Sequence, residues 1–348
     1  MLELIAEAQA EVLFENFIFR RDQAGPAFAA ALIERAQNEV AVRVVHDPFG
    51  CLSTLRWPIG SVFRGSRVQV RVYNPPRATW SFIKWGRDHR KLVVQDRERL
   101  VAGGLCIADV WAGNCVKQCT WRDSALLVNG EAATGAAADF DQMWGRSKAF
   151  TRSRLTKRQQ AAKRALAACG DVPVRILADK AGEHRVEQAK ITVFNAAREE
   201  ILITNSYFVP TRAVVEVLLD AQKRGIDVRV LMPHYSNHHI VGWLPIIRSA
   251  NCCVPASALG AGMDHDGAMT VVVDRCWPLI GSSNVDVLSL EKKAEFNVEV
   301  HGLRMGEQMS AVFERDCRWA VPYEYGEWRQ RRMGRRMKAR PSFALRKW

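Results

Sequence analysis

The feature that most constrains this fold is a frame that occurs twice. The stretch DHRKLVVQDRERLVAGGLCI spans residues 88–107, and GAMTVVVDRCWPLIGSSN spans 267–284. Each has a β-branched run, an aspartate (Asp96, Asp274) and, seven residues later, a pair of small residues (Gly103-Gly104, Gly281-Ser282). Upstream of each lies the same order of elements. VLFENFIF (12–19) and ILITNSYFV (201–209) read as apolar strands, and ALIERAQNEVAVRVV (31–45) and VLLDAQKRGIDVRVL (217–231) read as an amphipathic helix, a turn and a strand. Strand, helix, strand and motif, taken twice, predict an α/β protein of two similar halves, each a mixed sheet flanked by helices. The halves are expected to pack pseudo-symmetrically around one composite site, with His89 at their interface.

The predicted boundaries follow from charge and pattern. Residues 1–145 form the first half, 146–170 a basic linker, 171–320 the second half and 321–348 a basic tail. Arg146 to Arg164 holds eight Lys or Arg and no acid, and Arg329 to Lys347 holds nine, again without an acid. These blocks account for much of the net charge of +13 and suit a polyanion, either nucleic acid or anionic lipid headgroups. The tail also interleaves Trp328, Met333, Phe343, Leu345 and Trp348 with its cations, a composition suited to a bilayer surface. No apolar run approaches the ~20 residues that span a bilayer, and the first residues lack the pattern of a secretion signal. The nine cysteines are scattered without a C-x-x-C pair. The expectation is therefore a cytoplasmic protein, peripheral on the inner face of a membrane.

The first motif carries chemistry. On a strand, His89 and Lys91 share a face, because side chains alternate with period two. An imidazole beside an ammonium suits attack on a phosphodiester, the lysine neutralising an oxygen while the histidine acts as nucleophile or acid/base. Gly103, Gly104, Ser282 and Asn284 would let backbone amides and small polar groups approach the same anion. The second copy keeps the frame but has Gly267 and Met269 where the first has His89 and Lys91.

The paired motifs resemble those of the phospholipase D superfamily, whose site is built from two H-x-K-x-x-x-x-D copies. Within it, FENFIFRRDQAG (14–25), CTWRDSALLVNG (119–130), ITNSYFVPTRAVVEVL (203–218) and GSSNVDVLSLEKKAEFNVEV (281–300) resemble bacterial cardiolipin synthases and their relatives. The resemblance implies phosphatidyl transfer between a phospholipid and an alcohol through a phosphohistidine at His89. Lys91 would clamp the phosphate and Asp123 and Glu295 would hydrogen-bond the histidines. Ser282 and Asn284 would contact the phosphate, Asp96 and Asp274 would be architectural, and no metal or cofactor would be needed. Implied partners are an anionic, phosphatidylglycerol-like lipid, a membrane surface met by the basic tail, and a protein subunit.

Here the chain departs from the pattern. The second H-x-K is lost, and Cys106 stands where an asparagine is usual after the double glycine. His265 could substitute as an acid, but it precedes Gly267 by two positions, about 6–7 Å along a strand, so it would need a bulge. His238, with Ser236, matches a Ser-x-His of relatives and would line the pocket. The sequence leaves three readings open: a transferase, a catalytically impaired pseudoenzyme retained to bind anionic lipid or a partner, and a nucleic-acid phosphodiesterase.

Overall fold

The computed structural model describes residues 1–50, 59–75, 86–112, 121–149, 172–232, 251–255, 268–286, 289, 293–318 and 320–323. The first half contributes β1 (Glu11–Asn16), β2 (Ala41–His46), β3 (Gln69–Val72), β4 (Arg87–Asp88), β5 (Leu92–Gln95), β6 (Arg99–Gly103), β7 (Ala125–Asn129) and β8 (Lys148–Ala149). The second contributes β9 (Val174–Asp179), β10 (Glu200–Thr204), β11 (Asp227–Leu231), β12 (Asn251–Pro255), β13 (Thr270–Val273), β14 (Trp277–Gly281), β15 (Lys293–Val300) and β16 (Ala320–Tyr323). The sheets run β7-β6-β5-β1-β2-β3-β8 and β16-β12-β11-β10-β13-β14-β15-β4, with β9 also on β15. In both, a parallel pair (β1 with β2, β10 with β11) is followed by an antiparallel hairpin (β5-β6, β13-β14). The doubled order of elements is thus a doubled topology.

The helices lie where the apolar spacing puts them. Ala24–Gln37 buries Ala29, Leu32 and Ala36, and Arg212–Lys223 buries Val214, Leu218 and Ala221, each a stripe of helical period. Between the sheets the halves share one apolar layer. Leu13, Leu92 and Val94 of the first meet Ala178, Ile280, Phe296 and Val298 of the second, with Phe140 of helix Glu131–Arg146 among them. Truncating the fully buried Phe296 should therefore loosen both halves, at about 3–5 kcal/mol.

The motif aspartates explain the two hairpins. Each turn places two non-glycine residues in the left-handed region, Asp96 and Arg97 at φ 51° and 61°, Asp274 and Arg275 at φ 49° and 52°. That conformation costs roughly 1–2 kcal/mol per residue. Each carboxylate offsets it by accepting three backbone N–H groups from the start of the neighbouring strand. Asp96 takes Gln9, Ala10 and Glu11 at 2.7–3.0 Å, and Asp274 takes Arg198, Glu199 and Glu200 at 2.8–3.0 Å. The aspartate is a clasp between hairpin and sheet, at the opposite end of the strand from the histidine position.

Strands β1 and β10 end sooner than the apolar runs predict, at Asn16 and Thr204. The asparagines at these ends are committed elsewhere. Asn16 Nδ2 donates to the Leu105 carbonyl at 3.2 Å, and Asn205 Oδ1 accepts the Val285 N–H at 3.1 Å. The chain turns out of the sheet there to hold the loop after the small-residue pair, so Phe17 meets His89 while Phe19 and Phe208 join the apolar cores.

Candidate active site

The site is built where β4 of the first half joins β15 of the second. Arg87-Asp88 pairs in parallel with Lys293-Ala294, and the His89 N–H donates to the Ala294 carbonyl at 2.9 Å. This junction delivers the His89 imidazole into the second half. Its Nδ1 lies 3.0 Å from the Ser282 carbonyl and 3.1 Å from both carboxylate oxygens of Glu295. With Nδ1–H donated to these acceptors, Nε2 carries the lone pair. The ring meets Phe17 edge-on, centroids 4.9 Å apart. Burial, then the cations of Lys91 and Lys293, hold His89 well below the ordinary histidine range, so the imidazole is neutral.

Glu295 is itself positioned by Ser282, whose hydroxyl donates to Oε2 at 2.5 Å and accepts the Phe296 N–H at 2.9 Å. Burial raises this carboxyl, and Lys293, Lys91 and the Ser282 hydroxyl oppose the shift. The Ser282 side chain thus serves the carboxylate. Lys91 is buried, donates to the His89 carbonyl at 2.5 Å and lies 5.5 Å from the centre of the Phe17 ring. Burial lowers its pKa, while the carboxylates of Glu295 and Asp123 raise it, which places one acid from each half around a single ammonium. Asn284 is buried, and its Oδ1 makes no hydrogen bond among the described residues. Cys106 is a neutral thiol beside Lys91, pushed up to about 11 by burial.

The double glycine has a steric cause. A Cβ on Gly103 would collide with the Ser124 backbone, and one on Gly104 with the Asp123 carboxylate. Their N–H groups are already used, Gly103 by the Lys91 carbonyl at 3.4 Å and Gly104 by the Ser124 carbonyl at 3.1 Å. These glycines let strands approach; positive charge in the site comes from lysine side chains.

Beneath the site, Arg90 is completely buried, paired with Asp139, 3.6 Å from Glu15 and 5.3 Å from the centre of the Phe296 ring. Removing one partner from such a buried cluster costs about 3–5 kcal/mol. The strand carrying His89 is therefore anchored on its other face.

The structure brings His89, Lys91, Glu295, Ser282, Gly103, Gly104 and Asp123 together, buries Asn284 two residues beyond Ser282, and places the Asp96 carboxylate on the backbone amides of residues 9–11. His238, His265 and Gly267 lie outside the described residues, as do the basic tail beyond 323 and most of the predicted linker. Met269 is described and buried. Two residues join the site that the sequence reading did not single out. Lys293 lies two positions before Glu295 on β15, a spacing that could have announced it. Lys190 donates from helix Arg185–Ala196 to Ser283 Oγ at 3.0 Å, with burial lowering its pKa to about 8. Among the described residues no group of three or more His, Cys, Asp or Glu could hold a metal ion.

Comparison with known proteins agrees with this architecture. The family described as "Cardiolipin synthase, PLD-like domain" matches residues 190–317, the half that lacks the H-x-K. The major cardiolipin synthase ClsA of Bacillus subtilis is 26% identical over 345 residues, covering 97% of this chain and 70% of that protein. The chain is similar to cardiolipin synthases over nearly its whole length. The minor cardiolipin synthase ClsB of the same organism is 25% identical over 328 residues, covering 91% of this chain and 78% of that one. Among solved structures, phosphatidylserine synthase of Haemophilus influenzae superposes with a TM-score of 0.71 at 13% identity, over 94% of this chain and 85% of that chain. That likeness establishes the shared phospholipase D fold. In this cardiolipin-synthase-like chain, the two sheets are accordingly the two phospholipase D-like halves. No helix among the described residues is long and apolar enough to cross a membrane.

Proposed function

We propose that this chain transfers a phosphatidyl group between an anionic, phosphatidylglycerol-like lipid and an alcohol, through a covalent intermediate on His89. The observation that carries the reading is the His89–Glu295 pair at 3.1 Å: a buried, neutral imidazole is held by Nδ1, leaving Nε2 as nucleophile. In the first step Nε2 bonds to the lipid phosphorus, and the phosphorus–oxygen bond to the headgroup breaks. The imidazolium that forms is stabilised by Glu295, Lys91 neutralises the phosphate charge, and the Asn284 amide donates hydrogen bonds to the phosphate oxygens. The departing alcohol needs a proton, which must come from water or from a side chain other than residue 267. In the second step an acceptor alcohol attacks phosphorus, and the bond to His89 breaks. Without a histidine at residue 267 to take the acceptor's proton, release is the slow step. The lipid substrates place this work at a membrane surface, where the cations of residues 328–348 would add attraction to anionic headgroups.

The test incubates the protein with phosphatidylglycerol vesicles and follows cardiolipin and free glycerol by mass spectrometry. His89→Ala should lower product formation at least ~10³-fold. Equal turnover by the parent and His89→Ala would overturn the reading.

A further inference from the structure

The second half has no cation at the counterpart of Lys91. The equivalence of the two positions is visible in the backbone. The Met269 carbonyl accepts the Gly281 N–H at 3.3 Å, as the Lys91 carbonyl accepts that of Gly103 at 3.4 Å. A thioether at residue 269 cannot neutralise a phosphate, and phosphoryl transfer relies on charge placed around the phosphate oxygens. Another strand brings a cation beside the His89–Glu295 pair. Residues 293 and 295 of β15 share a face because strand side chains alternate. Glu295 on that face reaches His89 Nδ1, so Lys293 emerges on the side of the imidazole. Its ammonium donates to Ser289 Oγ at 3.3 Å, and Ser289 is tied to Asp286 by its N–H at 2.9 Å and its hydroxyl at 2.8 Å. The backbone is fixed too, since the Ala294 carbonyl accepts the His89 N–H. Lys91 and Lys293 both act on His89 and on Glu295, so the two ammonium groups surround the same pair.

We propose that Lys293 is the second phosphate-holding cation of this site, supplied by β15 in place of the lysine absent from residue 269. The ligand class is a phosphodiester or phosphate dianion bound over His89. The inference rests on the reading of an anion pocket there and extends it to a residue outside the repeated motif.

The experiment titrates inorganic phosphate into the full chain at low salt by calorimetry, with thermal midpoints measured alongside. Lys293→Met should weaken binding at least ~10-fold, and Lys293→Arg should stay within ~3-fold of the parent, if the charge itself is used. Adding Met269→Lys to Lys293→Met should recover binding to within ~3-fold by restoring a cation at the lost position. Should Lys293→Met lower the thermal midpoint, Lys293→Gln, which keeps a donor for Ser289, replaces it with the same expectation. Parent and Lys293 variants binding phosphate alike, or a parent that binds none, would overturn the proposal. Loss of phosphate binding in a protein without lipid turnover would sustain Lys293 as an anion ligand and sink the transferase reading instead.

Discussion

The two hairpins at the centre of the molecule, β5-β6 and β13-β14, agree at one end and differ at the other. At the turn end they match in backbone and chemistry, with Asp96 and Asp274 each accepting three N–H groups below two residues of left-handed φ. At the open end, the first carries His89 and Lys91, while the second begins from Gly267 and Met269. Frame and chemistry thus reside in different residues of one short motif. The aspartate ties the hairpin to its sheet in both halves. The histidine and lysine contribute nothing to that clasp. The second half still meets His89 through Glu295 and the Ser282 carbonyl.

The comparison is sharpened most by restoring what differs. Gly267→His with Met269→Lys should raise phosphatidylglycerol turnover at least ~10²-fold, because the acid/base partner of His89 is returned. A double variant that turns over no faster would mean that the second half lacks more than these two side chains.

A second test sets the acids of the two halves against each other. Glu295 and Asp123 occupy matching places, two residues before Asn297 and Ala125, which pair with Gly281 and Gly103. Glu295 has an imidazole to hold and Asp123 has none at residue 267. Glu295→Gln should therefore slow turnover about 10²-fold or more, and Asp123→Asn less than ~5-fold. Equal losses would show that Asp123 acts on the reaction directly.

Stability should treat the halves alike. Asp96→Ala and Asp274→Ala should each cost about 2 kcal/mol in denaturant unfolding, since each strands three backbone donors over a left-handed turn. A second-half aspartate that can be removed freely would break the claim that the frame is kept for folding.

The smallest effect is in pH dependence. Burial and the cations of Lys91 and Lys293 lower the His89 pKa, against Asp286 and the Ser282 carbonyl, with Glu295 at its Nδ1. A lower pKa keeps the neutral, nucleophilic imidazole as pH falls, so the acid limb of kcat/KM should lie below the ordinary ~6.5 of histidine. Lys293→Met, by removing one repelling cation, should move that limb upward by a fraction of a pH unit. A limb at or above 6.5 in the parent would mean that His89 is more hydrated than its 9% exposure indicates.

Much of this was legible from residues alone because repetition doubles a weak signal. One H-x-K is common, but the same β-branched run, aspartate and small-residue pair in two places define a topology. Glu295 and His89 are 206 positions apart in the chain, and only the match of their local stretches to a known pattern joined them before the structure did. The roles of Ser282 and the double glycine were less legible. A serine or glycine near an anion site looks like a ligand in sequence, yet here Ser282 serves Glu295, and the glycines yield to the close approach of Ser124 and Asp123. Lys293 escaped notice because it lies outside the repeated frame. Its meaning depends on β4 crossing into the second sheet, a pairing that no periodicity in residues 87–88 reveals.

The central claim is that His89, held by Glu295, forms a covalent bond to phosphorus and that release is slow because residue 267 is a glycine. Intact-protein mass after brief exposure to phosphatidylglycerol measures this directly. The account predicts a phosphatidyl adduct on the parent that maps to His89, is missing from His89→Ala, and discharges faster in the Gly267→His, Met269→Lys variant. A parent that turns over lipid with no adduct at any time, or an adduct that survives His89→Ala, would contradict it.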